Sequence, residues 1–209
     1  MKGVVLDALG QPIKGAIVRI EPGLTGGMVG VKTDAQGQYT ARSLIDMPYL
    51  ATAWTLMPYR GQKFCLRVDS VNEEGYEPFS AKGGTIRNFR LKLSGVIPDA
   101  GENAFFGGEA RLLHPGWDDD GVVNWDESRV EVTLVPDGPL VDGPLVDGSV
   151  GKPLVRTTQP GESFLYDIPL GQYTATAVEL RPDGTRAPLW MGEKQPQDKM
   201  TLRFESNTS

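Results

Sequence analysis

Apolar and polar residues alternate at period two in short runs along most of the chain, the pattern of strands with one buried face. Val4 and Leu6, then Ala16, Val18 and Ile20, stand between polar or small neighbours, which predicts strands near residues 3–7 and 15–21. Leu9-Gly10-Gln11-Pro12 reads as a tight turn, because Gly10 tolerates a positive φ and Pro12 fixes its own. Residues 33–39 close this opening unit: Asp34 bonds amides ahead of it, Gly37 turns the chain and Tyr39 opens the next strand. Residues 49–56 are apolar and β-prone and 63–71 alternate, with 57–61 as the expected hairpin loop between them. Residues 76–79 predict a short strand, placed at an edge by Pro78. Residues 86–93 predict a last strand with Ile86, Phe89, Leu91 and Leu93 inward and an irregularity at Asn88.

Residues 95–103 are rich in Gly, Pro and Asp and read as a linker, dividing a first domain, 1–94, from a second, 104–209. Strands are expected there at 109–113, 130–135, 163–168, 172–180 and 200–204, with Pro169-Leu170-Gly171 as a turn. The second half repeats the logic of the first: 130–136 takes the part of 16–22, and 157–164 echoes 33–39 with its aromatic displaced by one residue. Residues 137–148 form a direct five-residue repeat, too short for a solenoid and expected as an extended loop. No segment has the period of a long amphipathic helix.

Gly3, Val5, Asp7, Gly10, Pro12, Ile13, Gly15, Ala16 and Val18, followed by Thr33, Asp34, Ala35, Gly37 and Tyr39, make a pattern that resembles the carboxypeptidase regulatory-like family. Gly75-Tyr76-Glu77-Pro78 and Asn88-Phe89-Arg90-Leu91 resemble that family's later strands, so the likeness covers about residues 1–93. It departs at residues 43–62, where the family has a short hairpin. Asp167, Pro169, Gly171 and Tyr173 are similar to the D-x-P-x-G-x-Y signature of prealbumin-like repeats in bacterial adhesins. These resemblances imply an all-β protein of two tandem transthyretin-like (Ig-like) β-sandwiches. They further imply a non-catalytic module of a larger or surface-associated protein.

Composition narrows the function. The net charge is −6 and no Lys/Arg run exists, which argues against nucleic acid or an anionic membrane as partner. No apolar run approaches the roughly 20 residues needed to span a bilayer. Met1-Lys2 runs straight into the first strand without a leader pattern, so the expectation is a cytoplasmic chain, or an extracellular or cell-surface one whose leader was removed. Cys65, the one cysteine, precludes an internal disulfide and alternates with Phe64 and Leu66, so it is expected as a small core residue.

Catalytic residue types are scarce. Intradiol dioxygenases and transthyretin-related hydrolases share this kind of sandwich but need several histidines, and this chain has one, His114, in a turn. No G-x-S-x-G elbow is present, so no enzyme and no cofactor are expected. Residues 117–127 are acidic. Asp118, Asp120, Asn124 and Asp126 offer oxygens to calcium, although their spacing is not that of an EF-hand; the plainer reading is a solvated loop. Trp54, Tyr59, Trp117 and Trp125 are the expected contact residues, for a protein partner reached through loops and edge strands or, alternatively, for stacking on carbohydrate. The other reading of these tryptophans is that they cap the ends of the two cores.

Overall fold

The computed structural model describes residues 1–82, 84–113, 126–141, 151–192 and 197–206. Apart from one 3₁₀ turn, Glu73–Tyr76, the regular structure of these residues is strand, and the sheets pack in a sandwich- or barrel-like arrangement. The chain divides into two compact units: Met1–Phe106 with Glu205–Ser209, and Gly107–Phe204.

The first unit contains β1 (Lys2–Leu6), β2 (Ile17–Pro22), β3 (Val29–Lys32), β4 (Gln38–Thr40), β5 (Pro48–Tyr59), β6 (Gln62–Ser70), β7 (Phe79–Ser80) and β8 (Phe89–Arg90). Their order is β3-β2-β5-β6-β8-β1-β4, with β7 also on β5. Alternation on β2, β5 and β6 buries Val18, Ile20, Ala51, Ala53, Phe64, Leu66 and Val68 on one face, and Val5, Tyr39, Phe89 and Leu91 are buried too. β8 ties the two halves together. It runs parallel to β1 (Val5 opposite Phe89) and antiparallel to the end of β6 (Ser70 opposite Phe89).

Several expectations for this unit are corrected. The hairpin loop is not 57–61: β5 and β6 pair as far as Tyr59 and Gln62, and only Arg60 and Gly61 turn. Both have positive φ, 47° and 82°, the two-residue turn whose twist matches the strands it joins. Residues 76–79 are not one strand, because the 3₁₀ turn holds Tyr76 and only Phe79 and Ser80 pair, at the edge of β5. Phe89 and Leu91 point inward as expected, but Ile86 is exposed. The irregularity at Asn88 has a cause: its side-chain Oδ1 accepts the Val4 amide at 3.1 Å, so side chain replaces backbone in the ladder. Cys65 is exposed, because Phe64, Leu66 and Val68 take the inward phase of β6. Residues 95–103, read as a linker, are folded back. Val96 bridges Phe105, Ile97 and Phe106 are buried, and Asp99 pairs with Arg67 at 2.6 Å.

The second unit contains β9 (Gly108–Arg111), β10 (Arg129–Pro136), β11 (Leu154–Thr157), β12 (Phe164–Ile168), β13 (Gln172–Leu180), β14 (Arg186–Leu189) and β15 (Met200–Arg203). One sheet runs β11-β10-β13-β14 with β15 on β13; the other is β12-β9. Strand for strand this matches β3-β2-β5-β6 with β7, and β4-β1. The registers agree as well. Pro22 faces Tyr49 as Pro136 faces Tyr173, and Ala53 faces Val68 as Ala177 faces Leu189.

A buried threonine marks the same place in each unit. Thr33 Oγ1 accepts the Ala16 amide at 2.9 Å, and Thr158 Oγ1 accepts the Val130 amide at 3.0 Å. Each threonine amide then returns a bond to the carbonyl of that same partner. Thr158 rather than Thr157 is therefore the counterpart of Thr33. β8 has no counterpart among the described residues of the second unit.

Tyr39 gives the first unit an alkaline limit. Its hydroxyl donates to the Arg87 carbonyl at 2.6 Å, and burial pushes its pKa well above the ordinary tyrosine range although the Arg87 charge pulls it down. Above about pH 10 the unfolded chain releases this proton and the fold keeps it, so the unfolded state binds fewer protons and stability falls as pH rises. Below about pH 10 the group contributes no pH dependence. The expected slope from Tyr39 is up to about 1.4 kcal/mol per pH unit. Urea unfolding at stepped alkaline pH checks it, and Tyr39→Phe should remove that part of the slope.

Candidate interaction surface

The outer face of the β3-β2-β5-β6 sheet carries exposed apolar side chains, Ile17, Leu50 and Leu56, around the expected contact residue Trp54. Residues of β5 that alternate with the buried set point outward: Leu50, Thr52, Trp54, Leu56 and Pro58. Trp54 is half-buried and stands opposite Ile17 on β2 and Arg67 on β6. The Arg67 guanidinium lies 5.8 Å from the Trp54 ring centroid, and one of its nitrogens donates to both Asp99 oxygens, at 2.7 and 2.6 Å. Trp54 Nε1 and Arg67 Nε are buried without a hydrogen-bond partner. Leu56 is 60% exposed beside Cys65.

Tyr59 does not join this surface. β5 pairs with β6 in unbroken register from Ala53 to Tyr59, so Trp54 and Tyr59, five positions apart, project to opposite faces. Tyr59 instead meets Phe64 edge to face at 6.4 Å. The two described aromatics therefore form no common stacking platform. Trp117, Trp125, Asp118, Asp120, Asn124 and His114 lie outside the described residues. Asp126 is described and exposed. Among the described residues no group of three or more His, Cys, Asp or Glu side chains is placed to hold a metal ion.

The D-x-P-x-G-x-Y residues hold the backbone in shape. Asp167 sits at positive φ, 54°, where the β9–β12 register shifts. Arg156 clamps that irregularity, donating to the carbonyls of Tyr166 at 3.1 Å and Asp167 at 2.5 Å. The Tyr173 hydroxyl donates to the Pro169 carbonyl at 2.5 Å. A Cβ on Gly171 would lie 2.7 Å from the Leu140 side chain, so the residue is small because Leu140 packs there. Glu179 is buried at an inward position of β13, where it accepts from the Ser128 hydroxyl at 2.8 Å and Arg181 Nε at 2.9 Å. These groups are occupied in holding strands and turns.

Two exposed apolar residues were not legible as sites: Leu113 just beyond β9 and Trp190 just beyond β14, 74% and 68% exposed. In sequence Leu113 reads as the end of the strand expected at 109–113 and Trp190 lies between Pro188 and Gly192, so neither is marked as a contact. Only the register, which puts them where the first unit has Leu6 and Asp69, gives them a place.

No helix among the described residues is long and apolar enough to cross a membrane. No protein family, curated protein or solved structure matches the chain.

Proposed function

We propose that the protein is a non-catalytic interaction module built of two tandem transthyretin-like β-sandwiches. The first is of the carboxypeptidase regulatory-like kind and the second like the prealbumin-like repeats of adhesins. In this reading it serves as an accessory subunit of a larger assembly, of the bacterial surface or secretion type, and binds a protein partner through loops and edge strands. The observation that carries the reading is the repetition of one seven-strand arrangement in both units. With it, the buried polar groups Thr33, Thr158, Tyr39, Tyr173 and Glu179 are each engaged in bonding a neighbouring strand, turn or side chain. Among the described residues, strand edges and exposed apolar side chains offer surfaces for such a partner.

Affinity purification of the chain from its native host, with mass spectrometry, tests this reading. The expected result is a protein partner recovered in near-stoichiometric amount. A chain that stays monomeric with no partner, or one that binds a glycan array instead, overturns it.

A further inference from the structure

We propose that the second unit takes an extended segment of a partner protein into the gap beside β9, where the first unit holds its own β8. The segment is apolar at alternate positions and basic between them. This rests on the reading of the chain as an interaction module and names the chemistry of its partner.

The gap follows from the registers. In the first unit Asp69, Arg90 and Leu6 stand in a row across β6, β8 and β1. Val5 donates its amide to the Gly37 carbonyl on the β4 side, and the neighbouring Leu6 carbonyl accepts the Leu91 amide on the β8 side, at 2.8 Å. In the second unit Leu112 donates to the Ser163 carbonyl at 2.7 Å, which makes Leu112 the counterpart of Val5 and Leu113 that of Leu6. Counting on from Leu189, the counterpart of Val68, makes Trp190 that of Asp69. Met191 exchanges both backbone bonds with Gln197, so the backbone groups of Trp190 face the other way, toward the gap. Among the described residues no backbone group meets Leu113 or Trp190 there.

The side chains agree. Leu6, beside β8, is half-buried, whereas Leu113 is 74% exposed. Asp69 pairs with Lys92 at 2.9 Å, whereas Trp190 in the corresponding place is 68% exposed. An arginine in the place of Arg90 would stand next to Trp190 in that row, within reach of a cation–π contact, with apolar residues in the places of Phe89 and Leu91 turned toward the core.

One difference sets the length of the segment. In the first unit residues 85–87 cross directly over Gly3, whose Cβ would come within 1.8 Å of the Arg87 carbonyl. The counterpart is Ala110, since Gly3 faces Tyr39 as Ala110 faces Leu165. Its methyl group blocks that path, so a guest must enter opposite Leu112 and match only residues 88–91.

The test uses the full chain with Trp54, Trp117 and Trp125 replaced by phenylalanine, so that Trp190 alone reports. The probe is the hexapeptide of residues 88–93, Asn-Phe-Arg-Leu-Lys-Leu, against a scrambled control. The expected result is a blue shift of Trp190 emission and about tenfold slower amide exchange around residues 112–113 and 190, both abolished by L113D, whose exposed position leaves folding intact. No response, or an equal response to the scrambled peptide, overturns the proposal. Protection of Val5 and Leu6 instead would mean exchange with the first unit's own strand and also overturns it. So does self-association abolished by L113D without any peptide effect, which would make a second copy the occupant. Failure here while a partner is still recovered from the host removes this docking mode and leaves the interaction role standing.

Discussion

Gly3→Ala is expected to destabilise the first unit by about 3 kcal/mol or more, whereas Ala110→Gly at the matching place costs the second unit about 1 kcal/mol or less. A Cβ at Gly3 would lie 1.8 Å from the Arg87 carbonyl oxygen, 2.8 Å from its carbon and 3.0 Å from the Tyr39 ring. The obstacle is backbone held from several directions. Arg87 donates to the Lys2 carbonyl at 3.0 Å, Lys2 donates to the Thr85 carbonyl at 3.0 Å, and the Tyr39 hydroxyl binds the Arg87 carbonyl at 2.6 Å. Relief requires lifting residues 85–87, which loosens β8 and uncovers Phe89. Among the described residues no such strand crosses Ala110, and removing its methyl group costs the conformational entropy and small contact of one alanine in a strand. Hydrogen exchange resolved by unit separates the two effects. A Gly3→Ala protein whose first unit loses less than about 1 kcal/mol would show that residues 85–87 do not approach β1 as closely as described.

How far the fold was legible follows from what each segment depends on. Strands β2, β10 and β13 were readable because one face is buried throughout, so period two survives in the residue types. β13 was bounded in sequence as it is in the structure, 172–180. The short strands β3, β11 and β14 were not read, since their residues are mostly exposed or half-buried and their place comes from the neighbours they pair with. Cys65 shows the cost of phase. Three apolar residues in sequence, Phe64, Cys65 and Leu66, cannot all point inward on one strand, and the larger pair with Val68 takes the core. Residues 95–103 misled through composition: Gly, Pro and Asp mark turns equally well in a linker and in a segment pinned by the Arg67–Asp99 pair.

The candidate surface was less legible, for a related reason. Trp54 and Tyr59 stand out as residue types, but only a β5 unbroken to Tyr59 places them on opposite faces, and the length of β5 was underestimated because Pro58 suggested a loop. Pro58 is tolerated there because it lies one pair before the two-residue turn and beyond Trp54, where the pairing of β5 with β2 stops. Leu113 and Trp190 carry no pattern of their own. Their significance is relational, arising because one unit has a strand where the described residues of the other have none.

Phe89→Ala is expected to cost the first unit about 3–5 kcal/mol, the range for truncating a buried phenylalanine, and to do so by releasing β8. The ring is 2% exposed and lies 6.3 Å from that of Tyr39, between β1 and the end of β6. Without it the bonds that fasten β8, Leu91 amide to Leu6 carbonyl and Val71 amide to Asn88 carbonyl, lose the packing that holds them. The first unit then has the two separate sheets of the second. Amide exchange should rise first at Leu91 and Val71 while the β2–β5 ladder stays protected. Phe89→Leu, which keeps most of the volume, should cost no more than about 1.5 kcal/mol. Because Gly3→Ala disturbs the same strand from the other side, the double variant should lose less than the sum of the two. Full additivity, or an Ala variant in which Leu91 and Val71 stay protected, would mean that β8 rides on the first unit instead of tying its sheets together.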